Sequence, residues 1–435
     1  MSSLSQRLYA RLVRPVRGGG RGPQPERADP EVSANGLRQI AAAALQNAGD
    51  QVVNAGTVLP WLLAAVGAPV GLVGLLVPVR ESGSLLPQAL LSPRVRRRTQ
   101  RRWVWVAGAG VQAAAAAGMA LAAATTEGAL AGALVLTTLA LFAVGRSLCS
   151  IASKDVMART IPKGQRGQIN GLSTLASGVV AVTIGLGIRL WGGEGTDVTL
   201  LALLLGGAAL AWVAGAAVYA TVREPAAAPE AAEPGDWWRD AWRLLSRDAP
   251  FRRFVTVRTL LLVSALSPPF LVVLAAEGGG AGLSGLGPFV IAQGAARMIG
   301  GRLFGRLADR SSRRLMAFGA LAASLVVLAL LGLSALGVVR EAPWLYAVGY
   351  FVLALVHTGV RVARKTYVVD MAEPDQVTEY VAVSNTLMGA LLLVTGAVNA
   401  ALATFGAEVA LAFLALLGLT GVVVARTLPE VSARG

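Results

Sequence analysis

The stretch GRLFGRLADRSSRR, Gly301 to Arg314, stands between two long apolar runs and decides how the rest of the chain is read. Its small residues, with Gly300 before them, let neighbouring backbones approach closely at Gly301, Gly305 and Ala308, and its arginines are too costly to place in hydrocarbon. The segment is therefore expected as a tight turn joining two membrane helices. A generic basic turn would account for the arginines, but not for Asp309 four residues after Gly305.

Outward from that turn, composition agrees. The chain is 55% hydrophobic and 14% charged, with a mean hydropathy of +0.61, far from the balance of a soluble domain. A net charge of +15 would suggest nucleic acid in a soluble protein. Here the basic residues sit in short segments between apolar runs, which is the positive-inside pattern, so no nucleic-acid partner is expected. The single cysteine, Cys149, lies in an apolar run and excludes an intrachain disulfide. No secretory signal pattern is read at the start, so the first span is expected to direct insertion.

Twelve apolar runs are read, over about residues 39–68, 69–92, 104–124, 128–151, 169–190, 199–222, 255–276, 286–303, 315–338, 344–369, 381–404 and 409–425. The expected fold is all-α, with two pseudosymmetric six-helix bundles at 37–222 and 253–428. Residues 1–36 are read as a solvated basic tail, with a short amphipathic helix carrying Arg7, Leu8, Arg11, Leu12 and Arg14 as the alternative. Residues 223–252 form a linker ending in an interfacial helix, where Trp238, Trp242 and Leu245 are expected opposite Arg239, Arg243 and Arg247. Residues 429–435 are a C-terminal tail. A gapless shift of 211 aligns Lys154 with Lys365, Ser173 with Ser384, Gly178 with Gly389 and Gly185 with Gly396, and sets Arg146 opposite His357. Basic residues concentrate on one set of loops, so both termini are expected to be cytoplasmic and the chain to lie in the plasma (inner) membrane.

Gly305, Asp309, Arg310, Ser312, Arg313 and Arg314 resemble the loop signature of the major facilitator superfamily, G-x-x-x-D-[RK]-x-G-[RK]-[RK], with Ser312 in place of the second glycine. The first-half copy is degenerate: Ala89 and Pro93 replace its Gly and Asp, and only Arg94, Arg97 and Arg98 agree. Arg146 resembles the arginine of a second motif, R-x-x-x-G, with Ser150 replacing the glycine. The antiporter motif is absent, because Gly171, Gly178, Gly185 and Gly187 lack a following proline. The resemblance implies a monomeric secondary transporter of a small solute, rocking about a cavity lined by spans one, four, seven and ten. It also implies that Asp309 faces the N-terminal end of span five and that Arg313 reaches Asp370, forming a latch for the outward-open state.

Ionisable residues inside the spans are functional candidates by default. They are Asp50, Arg80, Glu81, Arg146, Arg258, Arg297, His357 and Arg361, with Asn54 on the same helical stripe as Asp50. Arg80 and Glu81 diverge by about 100° on a helix and are expected to seek partners on other helices rather than each other. Two readings stand open. In one, Asp50 and Glu81 neutralise Arg146 and Arg297 in structural pairs while Arg258 and Arg361 reach the cytoplasmic surface. In the other, Asp50 or Glu81 exchanges a proton during transport, with His357 as a pH-sensitive group. The excess of arginine leans toward an organic anion; a drug or other metabolite is the other substrate reading. No Walker loop, metal cluster or cofactor motif is read, and no Ser/His/Asp or HExxH spacing supports a membrane enzyme. A transporter-like sensor or assembly partner is the remaining alternative.

Overall fold

The computed structural model describes residues 4–13, 29–162, 165–191, 193, 198–226, 237–277, 283–372 and 377–431. Among these, ten helices are long and apolar enough to cross a membrane. Two more complete the twelve spans, and both depart from a uniform apolar helix for a physical reason. Span one runs as Pro30–Val52 and Val58–Ala65, with a polar stripe and a break between. Span eight is the first part of Gly287–Ala335, carrying Gln293 and Arg297. That long helix is in fact two, because Ser311 has extended backbone angles within it. Ser311 Oγ accepts from the Arg314 backbone N–H at 3.2 Å, so it caps span nine as an N-cap serine does. The expected turn is present, and Ser312, at the glycine position, is fully buried.

The other spans are Val70–Arg96, Arg102–Thr125, Gly128–Thr160, Arg166–Trp191 and Val198–Ala220 in the first half. In the second half they are 249–277, Trp344–Met371, Val377–Ala403 and Ala407–Ala425. Span three packs on four and six, span two on four, and span one on five and six; the second half repeats these neighbours. Spans one and seven are both broken midway. A break exposes backbone groups that hydrocarbon cannot satisfy, so it must be buried in protein. Val53, Asn54, Ala55 and Val58 are all buried, and the Asn54 side-chain carbonyl accepts from the Gly56 N–H at 2.8 Å. In span seven the turn at Ser267 precedes Pro268 and Pro269, which cannot continue the ladder behind them. The shift of 211 carries residues 53–57 onto 264–268, so the two breaks are pseudosymmetric counterparts.

The halves meet along two seams, spans two with eleven and five with eight. Glycines permit the approach. A Cβ on Gly185 would lie 2.8 Å from Ile291 Cγ1 and 3.0 Å from the Gly287 carbonyl oxygen, and one on Gly396 would enter the Pro78 ring. Ser82 Oγ donates to the Gly389 carbonyl across the second seam at 2.7 Å. These contacts lie from mid-span toward the side away from the basic loops. That opposite side is sealed further by Leu59, Trp61, Leu62, Leu63 and Phe270 to Val273, all buried, and by Phe289 between Trp61 and Tyr350. Spans four and ten make no extended contact, and Lys154, Arg361 and Lys365 on them are exposed. The molecule is closed on the opposite side and open on the basic side.

The solvated tail is corrected. Leu4–Leu12 is a helix whose Tyr9 and Val13 are buried against Ile161 and Ile169. Tyr9 donates its hydroxyl to Gln165 Oε1 at 2.8 Å, and any side chain at Gly36 would enter the Tyr9 ring. Residues 14–28 and the Pro/Ala/Glu run 227–236 lie outside the described residues. The linker helix Trp237–Arg247 is present; Ala241 and Leu244 are buried against the second bundle, and Trp242 is 73% exposed on another face. The Trp238 side chain lies outside the described residues.

Candidate transport site

Span one positions the site. Its polar residues fan out at helical spacing toward three neighbours. Gln51 Nε2 donates to Ser177 Oγ on span five at 2.9 Å and Asn47 Nδ2 to the Ser173 carbonyl at 3.0 Å. Asn54, at the break, donates to Gln293 Oε1 of span eight at 2.8 Å, tying the two bundles together beneath the sealed side. Asp50 is 5% exposed and receives two cations: Arg146 of span four, hydrogen-bonded to its Oδ2, and Arg80 of span two, with Nη2 3.4 Å from Oδ1. A carboxylate in this setting needs such partners, and it has them.

Two expectations about Glu81 are corrected. Its Oε1 lies 3.6 Å from Arg80 Nη1, so the adjacent pair does meet. The 100° divergence describes where Cβ bonds point, whereas a guanidinium on three methylenes reaches around the helix. The Glu81 side chain is 52% exposed and the ion pair it makes is with Arg80, not Arg297; it is also among the electrostatic neighbours of Arg146 and Arg364.

The second bundle supplies a cationic wall. Arg297 of span eight has Arg361, Arg80 and Asp50 among its electrostatic neighbours. His357 has Arg364, Arg361 and Arg297, with its Nδ1 3.4 Å from Ser264 Oγ of span seven. Lys365 has Arg361, Arg364, Lys154 and Arg258. Arg297, Arg361 and Arg364 make no ion pair among the described residues. Arg258 does not reach the surface: it is buried and donates to Ser384 and Asn385 of span eleven. The counterpart of Asp50 under the 211 shift is Leu261, so the carboxylate has no partner by symmetry. One buried acid thus faces a wall of arginines across the space between the bundles.

The loop signature is placed in part. Arg313 Nε lies 3.5 Å from Glu430 Oε2, and its Nη1 donates to the Leu428 carbonyl at 3.0 Å. In this conformer, open on the basic side, Arg313 is thus held by the chain after span twelve; its expected reach to Asp370 belongs to the outward-open state. Glu430 also accepts from Ser311 Oγ at 2.6 Å. Gly305 and Asp309 lie on the helix, but the contact of Asp309 with span five falls outside the described residues. Arg310, Arg314 and Asp370 are exposed. The sequence reading missed Arg80 as a ligand of Asp50, Gln293 as the partner of Asn54, and Ser173 and Ser177 as partners of span one. A polar residue two turns from Gly185 on span five was the available signal for the last.

Two pseudosymmetric six-helix bundles, closed on one side of a charged midline and open on the other, define an integral membrane protein of the two-bundle fold. The sequence model of the Major Facilitator Superfamily matches residues 40–339, and the chain belongs to that family. The family and fold are those of transporters and not of enzymes. No curated protein matches the chain by sequence. Among solved structures, the nucleoside transporter NupG is similar at 10% identity and a TM-score of 0.70, over 91% of this chain and 99% of that one. A D-xylose-proton symporter matches at 13% identity and 0.67, over 92% and 99%. A peptide transporter POT in complex with sulfate matches at 12% identity and 0.64, over 98% of each. At these identities the likeness is one of fold.

Proposed function

We propose that this protein is a proton-coupled secondary transporter of a small organic anion, working by alternating access, with both termini in the cytoplasm. The observation that carries the reading is the charge imbalance at the midline. Arg297, Arg361 and Arg364 make no ion pair among the described residues, and Asp50 is already engaged by Arg80 and Arg146. An uncompensated cation away from water is costly, so an anionic solute arriving between the bundles is favoured where a cationic one is repelled. Asp50 is the proton carrier of this scheme. Protonating it releases Arg146, and the freed guanidinium is then available to the anion; reionising it recaptures Arg146 and expels the anion. The similar fold of a proton symporter supports such coupling.

The positive-inside rule, applied to the basic loops, supports an open side that faces the cytoplasm. The test is a thermal-shift screen of the purified protein against monocarboxylates, dicarboxylates, phosphate esters and quaternary amines, followed by uptake into proteoliposomes under an imposed pH gradient. Stabilisation by anions and pH-driven flux of the best of them are expected. Stabilisation by amines alone would overturn the substrate class, flux indifferent to the pH gradient would overturn the coupling, and binding without flux would favour a sensor.

A further inference from the structure

A cavity of about 340 Å³ lies inside the first bundle, toward the basic side of the Asp50 ion pair. Residues of spans one, three, four, five and six line it and, among the described residues, none of the second bundle does, so it is distinct from the site between the bundles. Its construction is that of a binding pocket. At one end Trp105 and Tyr219 stack with ring centroids 4.0 Å apart. Tyr219 is 3% exposed, and its hydroxyl has no hydrogen-bond partner among the described residues. Buried hydroxyls are nearly always satisfied, so an orphan donor on a residue that lines a cavity is a group still lacking its acceptor. Among the described residues, Lys154 is the one charged residue lining the cavity; it is exposed and makes no ion pair with another of them. Met157 and Ile169 supply apolar wall between the two ends.

We propose that this cavity is a second ligand site, taking a small organic carboxylate whose acid group pairs with Lys154, whose apolar body lies along Met157 and Ile169, and whose far end accepts a hydrogen bond from Tyr219. The site also has a way to act on transport. Lys154 feels the charge of Lys365 on the facing span ten, and the two are counterparts under the 211 shift. Closing the basic side brings these like charges together. A carboxylate on Lys154 offsets that repulsion, so the occupied cavity favours the conformer closed on the basic side.

The test uses the full-length protein in detergent, with 4-acetylbenzoate, benzoate and 4-acetylbenzamide titrated calorimetrically. The acetylbenzoate is expected to bind at least tenfold more tightly than the neutral amide. Lys154→Gln should remove that tenfold. Tyr219→Phe, which keeps the ring stack, should remove the several-fold advantage of 4-acetylbenzoate over benzoate and leave benzoate itself unchanged. Arg361→Gln, in the site between the bundles, should retain this binding, which separates the second site from the transport reading. Absence of carboxylate binding, or binding that survives Lys154→Gln and Tyr219→Phe but is lost in Arg361→Gln, would overturn the proposal.

Discussion

Gly185→Ala should tip the protein out of the conformer described here. The added methyl would sit 2.9 Å from the Ile291 backbone nitrogen and 3.0 Å from the Gly287 carbonyl oxygen, besides 2.8 Å from Ile291 Cγ1. Two of these three neighbours are backbone of the facing helix, so no rotamer change relieves them and spans five and eight must separate. Overpacking of this kind costs about 1–3 kcal/mol. The penalty exists only while the seam is closed, so it acts on the conformational equilibrium and not on the fold. At about 2 kcal/mol the population ratio moves roughly thirtyfold toward the conformer open on the opposite side. Gly178→Ala is the internal control, because its methyl would meet the Met298 side chain, which can swing aside. The assay is electron-electron spin distance between labels at Glu127→Cys and Glu341→Cys, both exposed beyond the opposite ends of the two bundles, in a Cys149→Ala background. Gly185→Ala should lengthen the distance markedly and Gly178→Ala only slightly. An unchanged distribution in Gly185→Ala, or equal shifts in both, would refute the argument from backbone contact.

Three further outcomes are expected. Asp50→Ala should destabilise the protein by up to about 3 kcal/mol, since it strands Arg80 and Arg146; adding Arg146→Gln should recover much of the loss in Tm without restoring pH-driven flux. Glu430→Ala removes the acceptor shared by Ser311 and Arg313 and should cost about 1 kcal/mol, read as a lower Tm, while Asp370→Asn should leave the Ser311 and Arg313 contacts to Glu430 intact in a structure of the variant. Burial pushes the Tyr9 phenol up to about 12, so the docked tail helix favours the undissociated form. Its docking is fully present below the ordinary tyrosine value of about 10 and is lost as pH rises toward 12; limited proteolysis should show the tail released over that window in the native chain, and no such release in Tyr9→Phe.

The legibility of the sequence divides along physical lines. Span positions, the two halves and the turn at Ser311 were readable because hydrocarbon imposes length and polarity on every helix it contains. The cation partner of Asp50 was also foreseeable, since a lone carboxylate there must have one. What escaped were contacts set by reach and by fold-back. Arg80 meets both Asp50 and Glu81 because a long side chain is not confined to its helical face. Glu430, five residues past the last span, meets Arg313 because the chain there returns to the turn between spans eight and nine. The tail helix was misjudged for a related reason: its two anchors, Tyr9 and Val13, are one turn apart, too short a pattern to stand out beside arginines, and the glycine that receives Tyr9 is Gly36, far along the chain.

The arrangement of charges and glycines along two helices explains how an event at Asp50 would be felt at the seams. On span two, Arg80 lies between Pro78, which packs on Gly396, and Ser82, which bonds to Gly389. On span five, Ser177, held by Gln51, is the immediate neighbour of Gly178, which packs on Met298. Each seam is therefore fastened within two residues of a group tied to span one near Asp50. Releasing Arg80 from Asp50 removes a restraint on span two at its contact with the other bundle, and the helix, being rigid, transmits the change along its length. The coupling needs no long pathway: the ion-pair centre and the hinge surface share the same two turns of helix. Hence Asp50→Asn should alter the distance between the labels at Glu127→Cys and Glu341→Cys even without substrate. If that distance is indifferent to Asp50→Asn while Gly185→Ala moves it, the seams rock independently of the charge centre and the shared-turn argument fails.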